Sequence, residues 1–109
     1  SGAFHSPFMN EPSSKFCEYL KKIKFNNPSF PVISNYEPSL CSDPNELKIR
    51  LEKQMCNGVR WRETMDLMAK DSDLHIVEIG PSNVLSGLGK RHLKDVKISQ
   101  VSSSDQISY

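Results

Sequence analysis

Three histidines, three cysteines and thirteen carboxylates are the side chains of this 109-residue chain that could carry acid–base, nucleophilic or metal chemistry. Their spacing excludes most of it. There is no G-x-G-x-x-G, no phosphate-binding P-loop and no H-E-x-x-H, and Gly87-Leu88-Gly89 falls inside a helical pattern rather than after a strand. Cys17, Cys41 and Cys56 lack the C-x-x-C spacing of a zinc site and are odd in number, which predicts three free thiols in a reducing compartment, with no metal and no cofactor. A nucleophilic serine elbow is missing too: Ser86 has Val84 where G-x-S-x-G needs its first glycine, and Gly89 comes one place late. His5 is the side chain that stands out. Flanked by Phe4 and Ser6-Pro7, it lies in a loop ahead of a helix, where an imidazole can reach a cleft and exchange protons near neutral pH. Local context alone favours the plainer reading of a surface-loop histidine. His75, within an apolar strand, and His92, near a helix end, read as structural.

The elements that must position these groups follow from periodicity and caps. Phe16, Tyr19, Leu20 and Ile23 recur at three-and-four spacing and predict a helix over Glu11 to Lys24, with Asn10 or Ser13 as cap and Pro12 in the first turn. Phe30 to Ser34 reads as a short strand limited by Pro31, and Tyr36 to Ser42 as a loop. Asp43-Pro44-Asn45-Glu46 is a helix start with Asp43 as N-cap, Pro44 at the first helical position and Glu46 at the third. Leu47, Leu51 and Met55 form its apolar stripe, and Asn57-Gly58 would end it in the left-handed conformation. A third helix is expected from Arg60 to Lys70, burying Trp61, Met65 and Met68. Leu74 to Ile79 then changes period and reads as a buried strand. A fourth helix capped by Ser82 carries Val84, Leu85 and Leu88, with Lys90 and Arg91 in its last turn, and Val96 to Val101 alternates as the final strand. Strand, helix and strand with short connections define a βαβ unit with a parallel pair and a right-handed crossover, so the class is α/β. Residues 102–109 read as a flexible tail.

Composition bounds the partners. The length suits one domain or part of one, and 37% hydrophobic with 25% charged residues suits a folded chain with a thin core. A net charge of +1 gives no field to gather nucleic acid or an anionic membrane, and no apolar run is long enough to span one.

Gly2-Ala3-Phe4-His5-Ser6-Pro7-Phe8-Met9 resembles the histidine segment of the malonyl-CoA:acyl carrier protein transacylases, whose usual form is G-A-F-H-S-P-L-M. Three further blocks resemble that family in the same order. They are Phe25-x-x-Pro28-x-x-Pro31-Val32-x-Ser34-Asn35, then Leu51-x-x-Gln54-x-x-x-x-Val59-Arg60-Trp61, and then Glu78-Ile79-Gly80-Pro81-x-x-Val84-Leu85-x-Gly87-Leu88-x-Lys90-Arg91. Gly58 replaces a common proline, and Ser82-Asn83 replace the usual glycine and basic residue.

The resemblance implies the C-terminal part, residues 1–101, of an acyltransferase (α/β-hydrolase-like) fold, with a short parallel sheet and flanking helices. It implies a ping-pong transfer of malonyl from malonyl-CoA to the phosphopantetheine of an acyl carrier protein in fatty acid biosynthesis. In that family a serine attacks the thioester while a histidine takes and returns the proton; a serine hydroxyl needs such a neighbour. By motif position the histidine is His5. Gln54 matches the position whose backbone carbonyl accepts from the far ring nitrogen, although its place on the stripe alone would make it a solvated helix residue. Phe4 matches the residue that leaves no room for an α-methyl branch, with simple loop packing as its plainer reading. The serine, the oxyanion donors and the malonate-binding arginine would precede Ser1. The expected partners are therefore malonyl-CoA, an acyl carrier protein and the N-terminal part of the same enzyme, in the cytoplasm or in a plastid or mitochondrial matrix, and the chain alone would be inactive.

Two other readings fit the same residues. One is a non-catalytic α/β module docking an acidic carrier protein through Lys21, Lys22, Lys24, Arg60 and Arg62. The other is an acyltransferase piece of a multidomain fatty acid or polyketide synthase.

Overall fold

The computed structural model describes residues 2–107. Ser1, and the last two positions of the expected tail, Ser108 and Tyr109, lie outside the described residues. The chain divides into two compact units, one running to Thr64 and the other starting at Met65.

In the first unit, helix α1 spans Asn10–Lys21, starting one residue and ending three residues earlier than the apolar spacing predicts. Neither Asn10 nor Ser13 caps it; the flanking position is Met9, with no side-chain cap. The reason is the 3-10 turn Pro7–Met9 directly before it, in which Met9 N–H donates to Ser6 O at 3.1 Å and Asn10 N–H to Pro7 O. The turn satisfies donors that a polar cap would otherwise take. Leu20 is buried, whereas Ile23 falls beyond the helix end and is exposed.

Strand β1 is Val32–Ile33, immediately after Pro31, and it pairs antiparallel with β2, Leu40–Cys41, in the register Val32↔Cys41 and Ile33↔Leu40. The expectation of a plain loop from Tyr36 to Ser42 is thus corrected, since two-residue strands are too short to show alternation. The connection between them is tied by polar groups: Glu37 N–H donates to Ser34 Oγ at 3.0 Å.

Helix α2, Pro44–Gln54, starts as its residues dictate, with the Asp43 carboxylate accepting Glu46 N–H at 2.7 Å. It packs on α1. Its end differs from expectation. Met55 is the C-cap in a right-handed conformation (φ −64°, ψ −30°), and neither Asn57 nor Gly58 has positive φ. The Asn57 side chain donates instead to Lys53 O at 2.7 Å, so a side-chain amide replaces the left-handed cap. Arg50 is buried on this helix. Its guanidinium pairs with Glu46 at 2.9 Å and donates to Ser39 O at 2.9 Å, to Ser39 Oγ at 3.0 Å and to Glu37 O at 3.3 Å. A buried cation is tolerated because each face of its fork has an acceptor. Helix α3, Trp61–Met68, runs from the first unit into the second, is shorter than expected at its C-terminal end, and buries Thr64 and Met65.

In the second unit β3, His75–Ile79, and β4, Lys97–Val101, form a parallel pair in the register His75↔Lys97 to Ile79↔Val101, joined through α4, Val84–His92. The βαβ pattern holds. Gly80 turns the chain after β3 at φ 153°, a conformation closed to most side chains, and Gln100 Nε2 fixes that turn by donating to Gly80 O at 2.7 Å. Helix α4 sits so close to the sheet that a Cβ at Gly89 would lie 2.9 Å from Ile98 Cδ1.

Two expectations fail in this unit. Ser82 does not cap α4: the Glu78 carboxylate reaches across from β3 and accepts Ser86 N–H at 2.7 Å and Leu85 N–H at 3.2 Å. A carboxylate suits the positive end of a helix better than a hydroxyl. Nor is β3 buried throughout, since Val77 is 43% and Ile79 83% exposed. Among the described residues β3 has β4 as its one strand neighbour, and only one of its faces meets α4. Beyond β4, Ser104–Gln106 forms a 3-10 turn, and Gln106 Oε1 accepts Ser102 N–H at 2.7 Å.

Two outcomes are expected. Arg50→Ala removes the fork and strands acceptors on Ser39 and Glu37, lowering stability by about 2–3 kcal/mol in urea unfolding followed by circular dichroism. An unchanged midpoint would show that Arg50 clamps nothing. Ser86 first, through its N–H at 2.7 Å, and then the N–H of Leu85 hold the Glu78 carboxyl below its ordinary value of 4.5. The stability this cap adds is therefore fully present above 4.5 and lost as pH falls through the lower folded-state value. Exchange protection of the Leu85 and Ser86 amides should drop across that acid range, and Glu78→Gln should flatten the dependence.

Candidate active site

The last carbonyls of a helix have no partner within it. At the end of α2 two of them meet the loop that carries His5. His5 N–H donates to Met55 O at 2.9 Å, and ring Nδ1 lies 3.0 Å from Gln54 O. A carbonyl can only accept, so Nδ1 carries the proton, and in the neutral ring Nε2 keeps its lone pair. Nε2 has no hydrogen bond among the described residues, and the residue is exposed. The backbone of His5 is left-handed (φ 64°), an uncommon state for a residue with a Cβ. Ser6 Oγ, donating to Ala3 O at 2.6 Å, closes the turn around it. Because the carboxy end of α2 is partially negative, a positive charge developing on this ring is stabilised there. The ring can accept a proton at Nε2 while Nδ1 stays fixed.

The structure thus brings His5 and Gln54 together. Gln54 also lines an apolar cleft of about 410 Å³, formed with Phe25, Val32, Ile33, Leu47 and Leu51. Phe4, the residue before His5, is 60% exposed, and its ring lies over Gly2: a Cβ there would be 2.6 Å from Phe4 Cε2. Met55, which periodicity puts on the apolar stripe, acts here through its backbone carbonyl, which no side-chain pattern reveals.

Other candidates take no part in these hydrogen bonds. His75 Nε2 pairs with Ser99 Oγ at 3.0 Å, and His92 Nε2 with Asp66 Oδ1 at 2.6 Å. Cys17, Cys41 and Cys56 are free thiols, and among the described residues no cluster of His, Cys, Asp or Glu could hold a metal. Of the cations considered for docking, Lys21 pairs with Glu18 at 2.6 Å and Arg60 with Glu63 at 2.6 Å, each basic group being held above its ordinary value by that carboxylate. Among the described residues no helix is long and apolar enough to cross a membrane.

A βαβ unit with flanking helices is the α/β architecture of the transacylase fold, and solved structures match it closely. The malonyl-CoA:ACP transacylase of Synechocystis sp. PCC 6803 superposes with a TM-score of 0.90 at 41% identity, over 96% of this chain and 36% of that one. An acyl-carrier-protein S-malonyltransferase from Bartonella henselae gives 0.89 at 31% identity, over 96% and 33%. No family model matches the chain. By sequence, the malonyl CoA-acyl carrier protein transacylase of Synechocystis is 40% identical over 99% of this chain and 37% of its own length. The polyketide-biosynthesis transacylase PksC of Bacillus subtilis is 37% identical over 89% and 33%. Over nearly its whole length the chain is similar to malonyl CoA-acyl carrier protein transacylases, in line with the four sequence blocks. It spans about a third of the length of the relatives it matches.

The close approach at Gly2 has a measurable result. Gly2→Ala should displace the Phe4 ring by roughly 1 Å, the shortfall between 2.6 Å and an ordinary contact of 3.4–4 Å, because an exposed ring yields before backbone does. Phe4 ring-proton shifts that do not change in this variant would show that the ring is not seated on Gly2.

Proposed function

We propose that the chain is the C-terminal portion of a malonyl-CoA:acyl carrier protein transacylase and supplies the histidine half of its active site. The observation that carries this reading is the exposed His5, with ring Nδ1 held at 3.0 Å from Gln54 O and Nε2 without a hydrogen bond among the described residues. Nε2 takes the proton of a serine hydroxyl supplied by the rest of the enzyme as that oxygen attacks the malonyl thioester carbonyl. It then gives the proton to the departing CoA thiolate, leaving malonyl as an ester on the serine. In the second half the phosphopantetheine thiol of the carrier protein loses its proton to Nε2, its sulfur takes the malonyl group, and the serine recovers its proton. A neutral carbonyl on Nδ1 serves where hydrolases use a carboxylate, fixing the tautomer without adding a full charge. Phe4 excludes an α-methyl branch. Residues 1–101 form the transferase part and 102–109 a tail.

The relatives' names support the substrate reading, and one solved relative is a malonyl-transacylase in complex with a type II polyketide acyl-carrier protein, matching with a TM-score of 0.85 at 29% identity. The pairing of Lys21 and Arg60 with carboxylates weighs against a docking module built on those cations.

The test replaces the matching third of the Synechocystis enzyme with this chain and follows malonyl transfer from malonyl-CoA to carrier protein. The chimera should be active, and His5→Asn within it should lose about 10²–10⁴-fold in kcat with the fold retained. A His5→Asn chimera at full rate would overturn the assignment.

A further inference from the structure

Gln54 makes two contacts with His5, and they ask for opposite proton positions. Its backbone carbonyl, 3.0 Å from Nδ1, accepts a proton held there. Its carboxamide nitrogen, 3.3 Å from the same Nδ1, can only donate, so that contact requires a bare ring nitrogen. The shorter contact decides in favour of a proton on Nδ1. An amide turned by half a rotation puts an acceptor, Oε1, on Nδ1–H, and Nε2 takes the position where Oε1 now lies buried with no hydrogen-bond partner. The turn gives up the bond from Nε2 to Asn57 O, at 3.5 Å the limit of useful length, and sets Oε1 beside that carbonyl.

We infer that the Gln54 side chain is a positioning residue for His5, its amide oxygen joining its own backbone carbonyl on the Nδ1 proton. One residue thereby supplies two neutral acceptors to one N–H, and the ring is held against rotation about its Cβ–Cγ bond as well as in tautomer. The purpose of this arrangement rests on His5 being the base; the arrangement itself can be measured without turnover.

The measurement is a two-bond proton–nitrogen correlation spectrum of the chain labelled with nitrogen-15 at histidine, which reads the proton on each ring nitrogen. Nδ1–H should dominate at His5 in the wild-type chain and in Gln54→Glu, which keeps an acceptor. In Gln54→Leu, where the backbone carbonyl remains, the ratio of Nδ1–H to Nε2–H should fall severalfold. An unchanged ratio in Gln54→Leu overturns the inference, because the backbone carbonyl then suffices. An equal fall in Gln54→Leu and Gln54→Glu overturns it too, because the side chain would then act by packing. Circular dichroism checks that α2 survives, and the same spectrum of the chimera serves if the short Gln54→Leu chain unfolds. There Gln54→Leu should lower kcat with the KM for malonyl-CoA kept. If the His5→Asn chimera is fully active while the tautomer ratio still responds to Gln54→Leu, the functional reading fails and the positioning role stands.

Discussion

Two carbonyls at the carboxy end of α2 govern the first unit. Met55 O would otherwise need water or a cap, and Gln54 O would keep only a 3.4 Å bond from Asn57 N–H; here they hold one loop residue by its backbone N–H and by its ring. For this to work α2 must stop at Gln54, and His5 must adopt a left-handed backbone that places both its donors toward the same helix end. Ending the helix one residue earlier or later would deliver its last carbonyls about 100° around the helix axis, away from the loop.

Polar clamps do much of what a larger apolar core does elsewhere. The buried apolar side chains among the described residues are Leu20, Cys41, Met65 and Leu93. Around them, Arg50 gathers the β1–β2 connection onto α2, Gln100 fixes the turn at Gly80, and Glu78 seats α4 on its strand. Each clamp joins segments distant in sequence, and each uses a group with more hydrogen-bonding capacity than one contact consumes.

Local chemistry was legible and long-range chemistry was not. Asp43-Pro44-x-Glu46 announces a helix start because cap, first position and third position lie within four residues. The βαβ unit announces itself by a change of period between Leu74 and Ile79. By contrast, the cap on α4 comes from Glu78, eight residues before Ser86, and nothing local distinguishes that glutamate from a solvated one. The antiparallel partner of β1 hid in a stretch holding Pro38 and several polar residues, and the end of α2 was misread because Asn57-Gly58 is a good left-handed cap that this helix does not use. At the site, His5 could be singled out by its loop, but its neighbour could not: periodicity leaves Gln54 on a solvated face, and only the resemblance of ordered blocks put the two side by side. A backbone carbonyl carries no residue identity, so Met55 could not be found in this way.

Glu78 has a second consequence, one of colloidal behaviour. It is the sole acidic residue of a strand that otherwise reads His, Ile, Val and Ile, with Val77 and Ile79 open to solvent. Such a strand offers unpaired backbone groups and apolar side chains to any copy it meets. The Glu78 carboxylate, on the alternate face, is spent on the first turn of α4. Protonating it takes acid below the ordinary carboxyl value and loosens the helix from that face, so the strand turns adhesive as its cover comes away.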